Sequence, residues 1–345
     1  MAVSAVSQQD RRSIARIRAL LERVGITLDA HLDYTCAIYD DEGEPIATGS
    51  AFGPTLRCFA VDPDHQGEGL LNEIISHLMD YQAGRGVTHL FVYTKPASAR
   101  FFCDLGFYEI ARVPGSLVFL ENRRRGFSDY LAALSRTARP GSACAIVMNA
   151  NPFTLGHRYL IEQAAASFDT VHLFLLSEDA GPIPARVRLE LARRGTADLA
   201  GVVCHESGDY LISKATFPSY FLKNEDTVIR AQAALDTAIF AKIAQALGVT
   251  CRVVGEEPTS HVTGIYNEIM AKTLPQHGVA CRIIPRKALP DGRVISASQV
   301  RQAIHDDRLG DVADMLPDTT LSYFRSAESE QVRAAIRREE DVIHY

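Results

Sequence analysis

Two short stretches carry residue types whose spacing suits phosphate chemistry. The first is Met148-Asn149-Ala150-Asn151-Pro152-Phe153-Thr154-Leu155-Gly156-His157. Gly156 removes a side chain, so phosphates can approach the backbone. Thr154 and His157 set a hydroxyl and an imidazole beside it, and Asn149, Ala150, Asn151, Pro152 and Phe153 form a stiffened turn on the approach. At a helix start these groups join free backbone N–H donors and the positive end of the helix dipole, where a nucleoside triphosphate would bind. His157 can then donate to phosphate oxygens as negative charge develops in a transition state. The second stretch is Ile295-Ser296-Ala297-Ser298-Gln299-Val300-Arg301. It places two hydroxyls at a helix start and a fixed cation one turn on. Each stretch also has a plainer reading, because Thr154, Ser296 and Ser298 are good N-cap residues in any helix. The two together, in order along one chain, favour a shared phosphate site.

Further candidates stand nearby. Arg188 is either another phosphate contact or an exposed helix arginine. Gly255 and Glu256 follow a strand-like run and either line a nucleotide pocket or form a turn with a surface acid. His172, His205 and His261 read as structural or surface residues.

The elements that must position these groups follow from periodicity. After the linker-like Arg139-Pro140-Gly141-Ser142, strand-like runs near 143–148, 171–176, 201–205, 250–254 and 280–284 alternate with helical stretches. That alternation predicts an α/β domain with a doubly wound parallel sheet, whose ligands sit beyond the carboxyl ends of the strands. The first motif lies at such an end. The expected division is a first domain over 1–125, a linker over 126–142 with a connecting helix near 127–137, a second domain over 143–325, and a charged tail over 326–345.

The first domain begins with an amphipathic helix over 11–24, with Ile14, Ile17, Leu20, Leu21 and Val24 at helical spacing. Strand-like runs near 34–40, 46–51, 56–61 and 88–94 follow. Between the last two, Gln66-Gly67-Glu68-Gly69-Leu70-Leu71 opens a helix.

The composition is ordinary for a globular protein, with 47% hydrophobic and 23% charged residues in a 345-residue chain. A net charge of −6 argues against a nucleic-acid partner held on a broad basic surface. The basic run Arg123-Arg124-Arg125 reads as a solvated face. Seven cysteines, none in a C-x-x-C pair, indicate neither a zinc site nor a disulfide framework, so the cytoplasm is the expected compartment. No apolar run is long enough to span a bilayer, and no membrane or metal role is expected.

Thr154-Leu155-Gly156-His157 resembles the H/T-x-G-H motif of nucleotidylyltransferases, and Ile295 to Arg301 resembles their I-S-S-T-x-I-R signature. This resemblance implies a Rossmann-like nucleotidylyltransferase fold. The stretch from Asn149 to Leu160, together with Ala215-Thr216-Phe217-Pro218-Ser219-Tyr220-Phe221-Leu222-Lys223 and Val254-Gly255-Glu256-Glu257-Pro258-Thr259, is more specifically similar to the citrate lyase ligase family. What that implies is AMP-forming activation of acetate by ATP, giving acetyl-AMP and pyrophosphate. The acetyl group then passes to the prosthetic-group thiol on the acyl carrier subunit of citrate lyase. Donors at a helix N-terminus, His157, Thr154, Arg301 and a Mg²⁺ ion held mainly by the substrate phosphates would serve that chemistry. Phe217, Tyr220 and Phe221 would either shape a pocket for the small acyl group or pack in a core.

In the first domain, the Gln66, Gly67, Gly69 loop and Phe101-Phe102-Cys103-Asp104-Leu105-Gly106-Phe107 resemble the GNAT acetyltransferases, which bind the pyrophosphate of CoA at such a loop. An α+β GNAT-like domain is implied. Leu71 and Phe102 depart from the pattern: the Leu71 side chain would crowd the pyrophosphate, and Phe102 has no proton to give where a tyrosine acid often stands. The expectation is therefore a domain that holds the carrier's CoA-like arm without catalysing transfer. Other readings remain open at this point: a ligase for the malonate decarboxylase carrier, a phosphopantetheine-adenylyltransferase-like enzyme, a GNAT protein acetyltransferase, and a non-catalytic sensor.

Overall fold

The computed structural model describes residues 2–178, 181–211, 217, 225–256, 261–339 and 342. The chain divides into two compact units, Met1–Asp129 with Pro218–Ala231, and Tyr130–Phe217 with Gln232–Tyr345.

In the first unit the elements run β1 (Ser4–Val6), α1 (Arg11–Arg23), β2 (Tyr34–Tyr39), β3 (Pro45–Phe52), β4 (Thr55–Val61), α2 (Leu70–Gly84), β5 (Phe91–Thr94), α3 (Ala99–Asp104), β6 (Tyr108–Val113) and β7 (Leu117–Glu121). Asp10 caps α1 by accepting from the N–H groups of Arg12 and Ser13, and the helix buries Ile17, Leu20 and Leu21. The strands form one sheet in the order β1-β2-β3-β4-β5-β7-β6. Neighbours are antiparallel except β4 and β5, which pair in parallel only at Thr55 with Phe91 and Leu56 with Val92. Beyond those two pairs the strands part. A cavity of about 590 Å³ lies there, lined by Phe59 and Val61 of β4, Tyr93 and Thr94 of β5, and the 66–69 loop.

Helix α4 (Gly126–Ser135) follows, and then β8 (Ala143–Met148), α5 (Leu155–Ala165), β9 (Thr170–Leu175), α6 (Ala185–Gly195), β10 (Val202–Glu206), α7 (Glu225–Leu247, in the second unit from Gln232 on), β11 (Cys251–Gly255), α8 (His261–Thr273), β12 (Ala280–Ile284), α9 (Ala297–His305), α10 (Asp318–Arg325) and α11 (Glu330–Arg338). The five strands fall where alternation predicts them. All are parallel, in the order β10-β9-β8-β11-β12, so the winding reverses between β8 and β11. Both halves of a ligand crevice therefore meet at the carboxyl ends of these two strands.

Helix α4 lies where a connecting helix is expected, and residues 225–231 at the start of α7 cluster with the first unit rather than with the second. Within the charged tail, read from the sequence as a helix that docks on one domain, α11 sends Val332 and Ile336 into a cluster with Val300, Ile304 and Phe324. Its charges lie on the other face, as amphipathic packing requires.

His172 on β9 and His205 on β10 are buried side by side, with Nδ1 and Nε2 2.9 Å apart. Burial pushes both rings down to about 4; a field from Arg139 adds to this at His172, and fields from His172 and Arg193 at His205. The unfolded rings bind protons more tightly, so their contribution to stability is complete above about pH 6.5. It is lost as pH falls from there toward 4, at up to about 1.4 kcal/mol per pH unit for each ring. The urea midpoint is expected to fall steeply across that window. In His172→Phe the fall should be shallower, and an unchanged slope would assign the acid sensitivity to other groups.

Candidate active site

Thr154 caps α5 in a two-way box. Its Oγ1 accepts from the His157 N–H at 3.4 Å, while its own N–H donates to His157 Nδ1 at 3.1 Å. The Thr154 hydroxyl adds a second contact to Nδ1 at 2.9 Å. A backbone N–H can only donate, so Nδ1 must be the unprotonated nitrogen and the ring proton sits on Nε2. Burial, with the positive field of Arg286, pushes the imidazole down to about 4. At neutral pH His157 is thus an uncharged donor with a fixed tautomer, set in the wall of a cavity of about 560 Å³.

Ser296 starts α9 but makes no side-chain cap bond. Its hydroxyl pairs with Ser298 Oγ at 2.7 Å, so the plain capping reading of Ser296 does not hold. Ser296 and Ser298 line the same cavity as Thr154, Gly156 and His157. Two helix N-termini, those of α5 and α9, thereby meet one space at the carboxyl ends of β8 and β11.

The other expected residues divide into those at the cavity and those behind it. Asn149, Ala150, Asn151, Gly255, Glu256 and Arg301 line it. Pro152 and Phe153 do not. Phe153 is fully buried in the core beneath the turn, where a side chain at Gly195 would come within 2.5 Å of its ring. The close approach of α6 to the turn therefore depends on that glycine.

Arg188 is the clearest correction. It is neither an exposed helix arginine nor part of the cavity wall, being only 2% exposed. Its Nε donates to Ile183 O at 3.1 Å and its Nη1 to Asn149 O at 2.8 Å and Asn149 Oδ1 at 2.6 Å, while Nη2 donates to Glu178 O. Arg301, which lines the cavity, directs Nε to Val342 O at 2.6 Å and Nη1 to Asn151 O at 2.5 Å. The two arginines hold the backbone on either side of Ala150. That residue sits at φ +49, a left-handed conformation costing an alanine about 1–2 kcal/mol. Their hydrogen bonds to Asn149 O and Asn151 O tether the turn on both sides of that left-handed residue.

Sequence reasoning passed over four cavity residues: Arg286 and Lys287 just past β12, Arg252 on β11 and Tyr266 on α8. The first two had a signal, a basic pair immediately after a strand whose carboxyl end faces the ligand crevice. Phe217 is buried; the rest of 215–223 and residues 257–259 lie outside the described residues. Among the described residues no cluster of three metal-binding side chains occurs, and no helix is long and apolar enough to cross a membrane.

In the first unit, Gln66, Gly67 and Gly69 line the cavity between β4 and β5. Gly67 and Gly69 take φ of +89 and +81, which favour glycine. Phe102 is buried at the cavity wall, whereas Tyr108 is 41% exposed and absent from that wall.

Comparison with known proteins agrees with both halves. Residues 143–324 match the family model of the citrate lyase ligase C-terminal domain, and residues 8–107 match that of the GNAT acetyltransferase family. The chain is 36% identical over 327 residues to the citrate (pro-3S)-lyase ligase of Escherichia coli K12, covering 93% of each chain. It is 35% identical over 323 residues to that of Haemophilus influenzae, covering 92% of this chain and 96% of the relative. To that of Klebsiella pneumoniae it is 38% identical over 295 residues, covering 84% and 86%.

Proposed function

The chain belongs to the citrate lyase ligase family, and from that premise we propose that it activates acetate with ATP and acetylates the acyl carrier subunit of citrate lyase in the cytoplasm. One observation carries the first step: the N-termini of α5 and α9 and the neutral donor His157 share one cavity at the sheet's switch point. A carboxylate oxygen of acetate bonds to the α-phosphorus. The bond from that phosphorus to the bridging oxygen breaks, and pyrophosphate leaves with the electron pair. Both reactants are anionic, so positioning and charge neutralisation supply most of the catalysis. His157 would donate from Nε2 to the phosphate oxygens that gain charge, with Thr154 fixing its ring. The Ser296 and Ser298 hydroxyls and the α9 N–H groups would bind the triphosphate, and Arg286 and Lys287 would offset its charge. Mg²⁺ would arrive on the phosphate oxygens and add further neutralisation. In the second step the carrier thiolate attacks the acetyl carbonyl, and AMP leaves.

The cavity of the first unit is the proposed seat of the carrier's CoA-like arm. The glycine loop and the space between β4 and β5 support binding, and Phe102 offers no proton for catalysis there. Leu71 lines that cavity. Leu71→Glu is expected to raise the KM for the carrier by about tenfold through repulsion of the arm's phosphates, with acetyl-adenylate formation unchanged. An unmoved carrier KM would remove the first unit from the reaction.

The reading as a whole is tested by mixing the protein with ATP, Mg²⁺ and acetate, and following pyrophosphate with and without de-acetylated citrate lyase. Acetate-dependent pyrophosphate and restored lyase activity are expected. Pyrophosphate that requires phosphopantetheine and ignores acetate would overturn the reading. The cytoplasmic assignment draws on seven free cysteines.

A further inference from the structure

Arg252, the second residue of β11, is 5% exposed and still reaches the wall of the nucleotide cavity. Strand alternation turns it away from Cys251 and Val253, which pack in the core on the opposite face of the sheet. Asp236 of α7 accepts from its Nη1 at 2.6 Å, and its guanidinium lies 4.4 Å from the centre of the Phe240 ring. These contacts fix the plane of the group without satisfying it, because Nε is buried with no hydrogen-bond partner among the described residues. An unsatisfied charged donor is costly to bury and calls for an explanation such as a water or an ion. Tyr266 of α8 lines the same cavity. Burial first, and the field of Asp236 second, push its phenol well above the usual range, so it remains a donor. Val147, Val254 and Met270 contribute aliphatic wall to the same cavity.

A held guanidinium edge, a phenolic donor and a short aliphatic lining match a small carboxylate with a short alkyl group. They do not match a polyphosphate, which the helix N-termini and Arg286 and Lys287 already suit. We propose that Arg252, oriented by Asp236 and assisted by Tyr266, binds the carboxylate of the acid substrate, and that Val147, Val254 and Met270 limit the length of its alkyl chain. The inference rests on the acetate-activating reading and deepens it. The guanidinium would keep the acid ionised and leave one carboxylate oxygen turned toward the α-phosphorus. Asp236 positions the arginine and takes part of its charge, which suits weak binding of an abundant small acid.

The test measures the KM for acetate in pyrophosphate release, and ATP affinity by direct binding, on the full chain. Arg252→Met is expected to raise the acetate KM about 100-fold and Tyr266→Phe about tenfold, with ATP affinity held. Because Arg252→Met leaves Asp236 buried without its cation, the double variant Arg252→Met with Asp236→Asn is measured alongside and should show the same acetate defect. Val254→Ala is expected to raise the kcat/KM for propionate relative to acetate. An acetate KM that does not move in the folded double variant overturns the subsite alone. So does an ATP affinity that falls in parallel with it, which would make Arg252 part of the nucleotide site. A wild-type protein that releases no acetate-dependent pyrophosphate overturns the function, and the subsite with it.

Discussion

His157→Ala is expected to slow acetate-dependent pyrophosphate release by about 10²- to 10³-fold while ATP affinity changes by no more than about threefold. The reason lies in the geometry of the capping box. Two Thr154 contacts fix Nδ1 as an acceptor, and that leaves Nε2–H as a donor in the cavity wall. An uncharged donor gains little from a ground-state phosphate that is already solvated and metal-bound. It gains more when charge concentrates on the oxygens of the reacting phosphorus. Single-turnover pyrophosphate release and equilibrium ATP binding separate the two effects. Equal losses in both would make His157 a binding residue only. A second consequence follows from a ring held down to about 4 by burial. Between pH 5.5 and 8 the rate of adenylate formation should show no break that belongs to His157. A break near 6.5 that disappears in His157→Gln would contradict the neutral-donor role.

Arg188→Met should cost about 3 kcal/mol or more in stability and lower the adenylation rate by about 100-fold, without a matching loss of ATP affinity. Its guanidinium holds the carbonyls of Ile183, Asn149 and Glu178 and the side-chain oxygen of Asn149. A methionine fills much of the volume but leaves those buried acceptors without donors. Asn149 then loses its tether one residue before the left-handed Ala150, and the turn carrying Thr154 and His157 is free to relax. A displacement of about 1 Å at a catalytic group is enough for a loss of that size. Urea unfolding and adenylation, both measured well below the midpoint, test the two halves. Stability within about 0.5 kcal/mol of wild type, combined with weakened ATP binding, would instead restore the direct phosphate contact that a lone helix arginine suggests.

How far each residue could be read from the chain depended on the range of its partners. Thr154, Gly156 and His157 were legible because their contacts close within one helical turn, and a local motif carries its geometry wherever it folds. The five parallel strands were legible for the same reason, since short apolar runs between helical segments have few other ways to bury both faces. The carbonyl partners of Arg188 and Arg301 were not legible, because an arginine's partners are whichever carbonyl or anion lies within reach. Here those carbonyls belong to residues 149, 178 and 183, and to 151 and 342. Phe153 lies in the motif, yet it faces the core because α6 comes close at Gly195.

By itself the sequence determined the helix-opening turn at Thr154–His157, the doubly wound sheet and the family, because each is written in short-range spacing that one segment can express. Tertiary structure alone decided that α5 and α9 address one cavity, that Arg188 and Arg301 tether the turn, and that Arg252 and Tyr266 line the same cavity. Those outcomes depend on the order β10-β9-β8-β11-β12, which brings together the carboxyl ends of strands about a hundred residues apart in the chain. No local pattern encodes that meeting. It is set by which buried faces pack when the winding reverses between β8 and β11.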